Sequence, residues 1–446
     1  IIAMVGHLWG GFIHVPINTR YRDAEIHHIL SDSGASVLLT DTTAFARQLD
    51  PSVCPTTTRL DLHQHVELSA KPAGDGVFRP VAGLPDDDVI AMLIYTSGTT
   101  GKSKGVALTR RALEANVGAT TRGWRFSARD HLVLALPLFH VHGLCLGVLG
   151  TLIHRMTTTL LRRFTPESVL DVFDTSASVF MGVPTMYTRL VRHLDAHPAR
   201  AESLKKARLF TSGSAALPAD LHRRFERLTG HAILERYGMS ETGFTLSNPY
   251  EGGRQAGTVG FPVSGYQAKV LSDDGEICAA GQQGELWVKG DGLMRGYWNQ
   301  PEATEHAIQE GWFRTGDVVL RQADGYFRIM GRASADIIKS GGFKISALEI
   351  EAVLLEHPWV DEVAVVGIPD PEWGERIAAA VVPSPDSEAL NTATLSLFVR
   401  ERLAHYKQPR LVLELESLPR NALGKLQKHL LRPILAEVAE RDGREV

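Results

Sequence analysis

The sequence predicts an α/β protein with a large N-terminal domain of mostly parallel sheets flanked by helices, a small β-rich subdomain and a small α+β C-terminal domain. Short apolar runs alternate with amphipathic stretches between residues 88 and 240, and short strands with tight turns follow over 273–329. A second mixture of helix and strand begins after Gly331. A chain of 446 residues also corresponds to two to four domains. We therefore place the two main domains at residues 1–331 and 332–446.

Strand, loop and helix repeat along the first of these domains, which is typical of a parallel sheet covered by helices. Pro184 suits the first turn of a helix, and apolar residues at 187, 190, 191 and 194 share one face of that helix. Another helix begins at Pro218 and stops at Gly230. A further helix is expected near 110–118, and strands are predicted at 89–95, 131–136, 178–182, 208–211 and 231–234.

The C-terminal domain is predicted to begin with a short helix whose first residues carry a capping signal. Ser346 and Glu349 have the spacing of a capping box, and Ile345 can pack against Ile350. The dipeptide at 357–358, His-Pro, ends this helix. Two strands at 363–367 and 377–382 and a helix near 395–403 complete the predicted α+β unit.

The composition excludes several classes of protein. The 47 basic and 51 acidic side chains give a formal charge of −4, without a basic stripe, so no nucleic-acid partner is expected. Cys54, Cys145 and Cys278 are too far apart for a disulfide framework or a thiolate zinc site, which predicts a reducing compartment. No apolar run approaches the roughly 18–20 residues that span a bilayer. The start lacks a basic segment and a cleavage site, so no signal peptide is predicted.

A loop rich in glycine, hydroxyl groups and lysine follows the first predicted strand. Its glycines let backbone N–H groups curl around an anion, its hydroxyls add donors, and its lysines add charge. The loop is not a Walker motif, which would require a glycine five positions before Gly101. The alternative is a plain surface turn. The loop consists of Thr96, Ser97, Gly98, Thr99, Thr100, Gly101, Lys102, Ser103, Lys104 and Gly105.

This loop resembles the phosphate loop of the adenylate-forming (acyl-activating) superfamily, which includes acyl-CoA synthetases. The resemblance implies a reaction in two steps, in which an acid attacks the α-phosphorus of ATP and the thiol of coenzyme A then displaces AMP. ATP, Mg²⁺ and coenzyme A are therefore the expected cofactors and co-substrates, and a small carboxylic acid is the other partner. The further segments that resemble this superfamily, in the expected order, are 237–242, 311–317, 331–332, 339–344 and 419–425.

The same resemblance assigns roles to individual residues. The loop at 96–102 and Lys104 are expected to hold the β- and γ-phosphates, and Glu241 is expected to bind Mg²⁺. Asp317 is expected to bind the ribose, with Arg332 beside it. Gly213, Ser214, Ala215 and Tyr237 resemble the adenine pocket of the superfamily. Each of these residues also has a structural alternative. Glu241 could cap a helix, Asp317 could end a turn, and Tyr237 could fill the core. The other expected nucleotide contacts are Gly238, Met239, Ser240 and Thr242.

Lys425 lies in a polar segment near the end of the chain, where a lysine is ordinarily solvated. By resemblance it reaches from the C-terminal domain to bridge the acid and the α-phosphate, a task suited to a point charge on a long stem. The C-terminal domain is expected to be mobile, and its rotation would withdraw Lys425. The candidate hinge residues are Ser334, Ala335 and Asp336. The loop expected to reach the coenzyme A side after the rotation is Gly341, Gly342 and Phe343.

The middle of the chain resembles malonyl-CoA synthetases. A dicarboxylate presents one carboxylate to ATP and buries the other, which is costly unless a cation pairs with it. We predict that Arg236, Arg254 or both supply this cation. The structural alternatives are an ion pair of Arg236 with Glu235 or another acid, and a solvated loop position for Arg254. His140 is expected on the wall of the acid pocket, and His142 as a hydrogen-bonded core histidine. The segments that carry this resemblance are 136–144, 181–190, 234–239, 247–254 and 331–351.

Three functions remain open at this point. The first is a CoA ligase for malonate or methylmalonate, the second is a CoA ligase for a neutral fatty or aromatic acid, and the third is a nucleotide-binding relative that has lost catalysis. Relatives extend several tens of residues before the point that matches Ile1, so we expect the start to be incomplete. The expected location is the cytoplasm, or the mitochondrial matrix if a transit peptide precedes this start.

Overall fold

The computed structural model of the chain describes residues 1–40, 58–61, 87–96, 103–385, 387, 391–420 and 426–442. Among these residues no helix is both long enough and apolar enough to cross a membrane. The first elements are α1 (Ile2–Gly10), α2 (Asp23–Ser33), β1 (Val37–Thr40), β2 (Thr58–Asp61), β3 (Ile90–Thr96), β4 (Lys104–Thr109) and α3 (Arg110–Gly123).

The large domain is organised around a central sheet. Its helical elements are a π-helix (His142–Leu149), α4 (Gly150–His154), α5 (Pro166–Thr175), α6 (Pro184–Ala196), a 3₁₀ helix (Pro198–Leu204) and α7 (Ala219–Thr229). Its strands are β5 (His131–Leu134), β6 (Thr157–Leu160), β7 (Val179–Gly182), β8 (Leu209–Ser212), β9 (Leu234–Met239), β10 (Gly243–Ser247) and β11 (Phe261–Pro262). Within the described ranges the seven strands lie in the order β11-β10-β9-β8-β7-β5-β6.

The five strands from β6 to β9 pair in parallel, whereas β10 and β11 are antiparallel additions. Leu209 and Leu234 face a core shared with Phe244, and Phe180 and Phe210 face a second core beneath α5, α6 and α7. Both faces are therefore buried, as expected for a parallel sheet. The prediction of a mostly parallel sheet flanked by helices is confirmed.

Two predictions within this domain need correction. The strand predicted at 89–95 does not join the parallel sheet, because β3 forms an antiparallel hairpin with β4, a strand that was not predicted. The strand predicted at 231–234 begins only at Leu234 and continues to Met239. Its end therefore carries Tyr237 and Gly238, so that part of the expected nucleotide site lies on a strand.

The β-rich subdomain follows as predicted. Val288 and Val319 of this region belong to the core that also contains Leu234 of the central sheet, so the subdomain packs on the large domain. The subdomain and its flanking segments comprise β12 (Tyr266–Leu271), β13 (Gln283–Gly290), β14 (Gly296–Tyr297), α8 (Pro301–Ala307), β15 (Ile308–Gln309), β16 (Trp312–Arg321) and β17 (Phe327–Arg332).

The C-terminal elements form a sheet with helices on both faces. Ser346 caps the first helix as predicted, since its side chain accepts a hydrogen bond from the backbone N–H of Glu349, whereas the Glu349 carboxylate pairs with Lys407 at 2.6 Å. The elements are β18 (Ile337–Ser340), β19 (Phe343–Ser346), α9 (Ala347–Leu354), β20 (Val360–Asp370), β21 (Gly374–Pro383), α10 (Thr392–Arg400), a 3₁₀ turn (His405–Lys407), β22 (Leu411–Glu414) and α11 (Lys428–Asp442). The domain boundary at 331/332 remains a prediction.

Candidate active site

The β3–β4 hairpin frames the expected phosphate loop. Thr96 at the end of β3 pairs with Lys104 at the start of β4, so the loop between them is closed by a strand pair. The Lys104 ammonium group lies 5.0 Å from the centre of the Tyr297 ring. The loop residues between the two strands, for which the sequence predicts phosphate contacts, lie outside the described residues; they are Ser97, Gly98, Thr99, Thr100, Gly101 and Lys102.

Glu241 lies in the turn between β9 and β10, and only 7% of the residue is exposed. The Tyr297 hydroxyl donates a hydrogen bond to Glu241 Oε1 at 3.1 Å, and burial raises the pKa of this carboxyl. Tyr297 therefore touches both Glu241 and Lys104. Sequence reasoning missed Tyr297, which reaches this place because β14 pairs with β4.

The turn that carries Glu241 is tight. A Cβ atom on Gly238 would lie 2.1 Å from the Gly243 carbonyl oxygen, so only glycine fits there. Asn116 of α3 donates to the Phe244 carbonyl at 3.0 Å and accepts from the Phe244 N–H at 3.0 Å, which fixes the turn to the helix. Met239, Ser240 and Thr242 lie in this same turn region.

Asp317, Tyr237 and Arg332 meet in one cluster from three strands. Asp317 and Arg332 are opposite each other on β16 and β17. The Tyr237 hydroxyl donates to Asp317 Oδ2 at 2.5 Å, and Arg332 Nε lies 3.0 Å from Asp317 Oδ1. Arg332 also donates to the Thr315 carbonyl at 2.6 Å. The structure thus brings together three residues that the sequence assigned to the nucleotide.

The segment after β8 contains Gly213, Ser214 and Ala215, the expected adenine loop. Ser214 has a left-handed backbone with φ of 69°, and its hydroxyl lies 3.2 Å from His142 Nδ1 at the start of the π-helix. A Cβ atom on Gly213 would lie 2.5 Å from the Arg236 guanidinium carbon. The expected adenine loop therefore packs directly against the Arg236 guanidinium.

Arg236 is buried without a counter-ion among the described residues. It is 3% exposed, its guanidinium lies 4.5 Å from the centre of the Phe244 ring, and no described group accepts a hydrogen bond from Nε or Nη2. Burial lowers the pKa of Arg236 to about 9, so it is still a cation at neutral pH. Arg236 does not pair with Glu235, because consecutive strand residues point to opposite faces of the sheet. On its own face, Glu235 accepts a hydrogen bond from the Leu217 N–H.

Arg254 is not brought together with Arg236. Its guanidinium donates to the carbonyls of Ala232 at 2.6 Å, Tyr250 at 3.0 Å and Pro249 at 3.4 Å. These bonds tie the 249–254 loop to the chain before β9. Arg254 therefore has a structural position, although a partly buried one rather than the solvated one considered above.

The sequence predictions for this region also include two histidines, His140 and His142. Burial lowers the pKa of His140 to about 4, and its ring lies 4.6 Å from that of Phe139. Burial, followed by the charge of Arg236, lowers the pKa of His142 well below its usual range. Its Nε2 atom has no hydrogen-bond partner in the described part of the chain, so the expectation of a satisfied core histidine holds only for Nδ1.

The predicted coenzyme A loop lies on the C-terminal domain. Gly341 and Gly342 have φ of 57° and 81°, and Phe343 stacks on Tyr406 with ring centres 4.3 Å apart. Lys344 forms an ion pair with Asp273 in the turn between β12 and β13. In this arrangement the loop is directed to the β-rich subdomain. Lys425 lies outside the described residues.

Glu235 gives this sheet a pH-dependent stability. Burial raises its pKa from 4.5 to about 8, so the folded protein holds a proton that the unfolded chain releases, and stability falls as the pH rises from about 5 to 8. Glu235→Gln should remove this loss and raise the free energy of unfolding at pH 8 by on the order of a few kcal/mol, with little change at pH 5. Urea denaturation at both pH values measures this, and equal pH slopes for both proteins would contradict it.

Two family models match this chain. A family model described as AMP-binding enzyme matches residues 1–298, and one described as AMP-binding enzyme C-terminal domain matches residues 349–425. The mitochondrial malonate–CoA ligase of Homo sapiens is 36% identical to this chain over an alignment of 471 positions, gaps included. The alignment covers 97% of this chain and 80% of that protein.

Two solved structures extend the comparison. The crystal structure of ATP-bound MatB from Rhodopseudomonas palustris has a TM-score of 0.88 at 35% identity, covering 98% of this chain and 87% of that one. A malonyl-CoA ligase product complex with methylmalonyl-CoA and AMP bound has a TM-score of 0.66 at 42% identity, covering 94% and 88%. Because the two family models match residues 1–298 and 349–425 and a relative of 36% identity covers 97% of the chain, the chain belongs to the family of AMP-binding enzymes.

Proposed function

We propose that this protein is an ATP-dependent malonate–CoA ligase, which forms malonyl-adenylate and pyrophosphate and then transfers the malonyl group to coenzyme A. The observation that carries the proposal is the buried Arg236 cation, which lacks an acceptor among the described residues and lies against the adenine loop. A dicarboxylate supplies the missing counter-ion, whereas a neutral acid leaves the guanidinium unpaired. The names of the malonate–CoA ligase relatives support this assignment.

The nucleotide is proposed to bind across the hairpin and the Asp317 cluster. Asp317 is already held by Tyr237 and Arg332 at 2.5 and 3.0 Å, so it is oriented before the ribose hydroxyls arrive. Lys104 and the loop before it would neutralise the β- and γ-phosphates. Fixed cations at this place oppose the repulsion between the attacking carboxylate and the triphosphate.

Glu241 is the proposed magnesium ligand. Mg²⁺ commonly takes one or two carboxylates, with phosphates and water as its other ligands, and the buried Glu241 carboxylate beside the β3–β4 hairpin fits that pattern. The Tyr297 hydroxyl orients this carboxylate through Oε1. A bound ion would polarise the phosphates and spread their charge.

His142 is proposed to be the second donor to the buried carboxylate. Its lowered pKa keeps the imidazole neutral at working pH, so one ring nitrogen accepts and the other donates. When Nδ1 accepts from the Ser214 hydroxyl, Nε2 carries the proton. The Nε2–H group of His142 and the unpartnered N–H groups of Arg236 would then both donate hydrogen bonds to the second carboxylate of malonate. His140 remains the proposed neutral wall of this pocket.

The domain arrangement supports assigning the structure to the first step. The chain is more similar in sequence to the product complex than to ATP-bound MatB, at 42% against 35% identity, yet its TM-score is lower, at 0.66 against 0.88. We attribute this reversal to a different orientation of the C-terminal domain in the product complex. Rotation of the C-terminal domain would then withdraw Lys425 from the adenylate site. It would bring Gly341, Gly342 and Phe343 to that site for the second step.

A pyrophosphate-release panel tests the proposed function. Malonate and methylmalonate should support release with ATP and Mg²⁺, and added coenzyme A should yield the thioester. Acetate, octanoate and benzoate should be at least about 100-fold poorer in kcat/KM, because each leaves the Arg236 donors unpaired. Preference for octanoate or benzoate would refute malonate specificity, and no release with any acid would refute the ligase. The proposed location is the cytoplasm or the mitochondrial matrix, and the name of the Homo sapiens relative describes that protein as mitochondrial.

A further inference from the structure

A buried ion cluster joins the last helix to the candidate hinge. Lys428, the first residue of α11, is 9% exposed, and its ammonium group lies 2.6 Å from Asp336 Oδ1 and 2.7 Å from Glu351 Oε1. Burial alone would lower the pKa of Lys428, but the two carboxylates raise it above its usual value. One lysine therefore holds the hinge segment, helix α9 and helix α11 together.

Asp336 is the point where this cluster meets the large domain. Its second oxygen, Oδ2, accepts the backbone N–H of Arg332 at 3.0 Å, and its carbonyl accepts the Ala347 N–H at 2.8 Å. A Cβ atom on Gly331 would lie 2.4 Å from the Asp336 Cβ, so the two segments are in close contact. Arg332 in turn pairs with Asp317.

A short stretch, with Ala333 and Ser334 exposed, connects Arg332 of the β-rich subdomain to Asp336. The Ala333 N–H donates to the Gly316 carbonyl of the β-rich subdomain at 2.9 Å. On the other side, Arg432 of α11 donates to the Ala335 carbonyl at 3.2 Å. Ala335 and Asp336 are thus bound to the C-terminal helix, yet their N–H groups also donate to the Arg332 carbonyl at 3.1 and 2.8 Å, so the 332–336 turn is held from both sides.

We propose that Lys428 is a positioning residue for adenylate formation, because it fixes the start of α11 to the hinge carboxylate Asp336. The inference rests on the proposed function, in which Lys425, three residues earlier in the sequence, acts in the first step. A tail that starts from a fixed point has less conformational freedom to lose when Lys425 reaches the phosphate. Loss of the Lys428–Asp336 contact therefore affects adenylate formation more than thioester formation.

The test compares the two half-reactions in folded variants. Lys428→Met alone leaves two buried carboxylates unpaired and is expected to destabilise the domain. The double variant Lys428→Met/Glu351→Gln removes one of these charges. Asp336→Asn keeps the Lys428–Glu351 pair but loses the hinge anchor. Arg376→Met is the matched control, since it breaks a 2.8 Å ion pair with Asp370 in the same domain, away from the hinge.

Two rates are measured for each protein: malonate-dependent exchange of pyrophosphate into ATP, and thioester formation from supplied malonyl-adenylate and coenzyme A. The ratio of the first rate to the second should fall at least tenfold in the double variant and in Asp336→Asn. It should stay at the wild-type value in Arg376→Met, and Lys428→Arg should restore part of it. An unchanged ratio in either folded hinge variant would overturn the positioning role. Failure of both half-reactions in the wild-type protein would instead overturn the proposed function.

Discussion

Arg236→Met should lower kcat/KM for malonate by about 100-fold or more, since the second carboxylate loses its buried partner. The same change should leave the KM for ATP within a few-fold of the wild-type value. It should also raise the melting temperature of the protein without substrate, because methionine replaces an unpaired buried cation with an apolar side chain of similar length. Steady-state kinetics with malonate and propionate, together with thermal unfolding, measure all three effects. Propionate should become the better substrate.

Arg254→Met is the matched control for this experiment. Its three hydrogen bonds to backbone carbonyls should be lost, so stability should fall while the preference for malonate over propionate stays. If Arg254→Met abolishes that preference and Arg236→Met keeps it, the roles assigned to the two arginines are reversed.

Lys425→Ala should reduce adenylate formation by about 1,000-fold, because no other cation would bridge the attacking carboxylate and the α-phosphate. Thioester formation from supplied malonyl-adenylate should stay within a few-fold of the wild-type rate, since the proposed domain rotation withdraws Lys425 in that step. Pyrophosphate exchange measures the first half-reaction, and coenzyme A consumption measures the second. Equal losses in both half-reactions would show that Lys425 supports the fold or the nucleotide site in general.

The sequence was sufficient for the layers of the fold but not for every strand. The helix from Pro184 and the cap at Ser346 follow from local chemistry, and both occur where they were predicted. Strand β4 was missed because it has only three apolar residues, at 106–108, and its pairing depends on β3. The end of β9 was missed because glycine usually weakens a strand, whereas Gly238 is required here by the close Gly243 carbonyl.

The site was only partly accessible to sequence reasoning. Asp317 and Arg332 are fifteen positions apart, and their contact depends on the register of β16 and β17, which no local pattern fixes. The choice between Arg236 and Arg254 required knowledge of which donors are already bonded. Once β9 is known to include both Glu235 and Arg236, strand alternation alone separates the two side chains.

The hydrogen bond between His142 and Ser214 has a consequence for altering the enzyme's selectivity. It joins the helix proposed to border the acid to the loop expected to border the base of the nucleotide, across only 3.2 Å. In the proposed complex the two ligands are therefore separated by this one hydrogen-bonded pair, and we expect a substitution on the acid side to alter the nucleotide side as well. Variants redesigned for new acids should therefore be screened for altered ATP saturation as well as for acid preference.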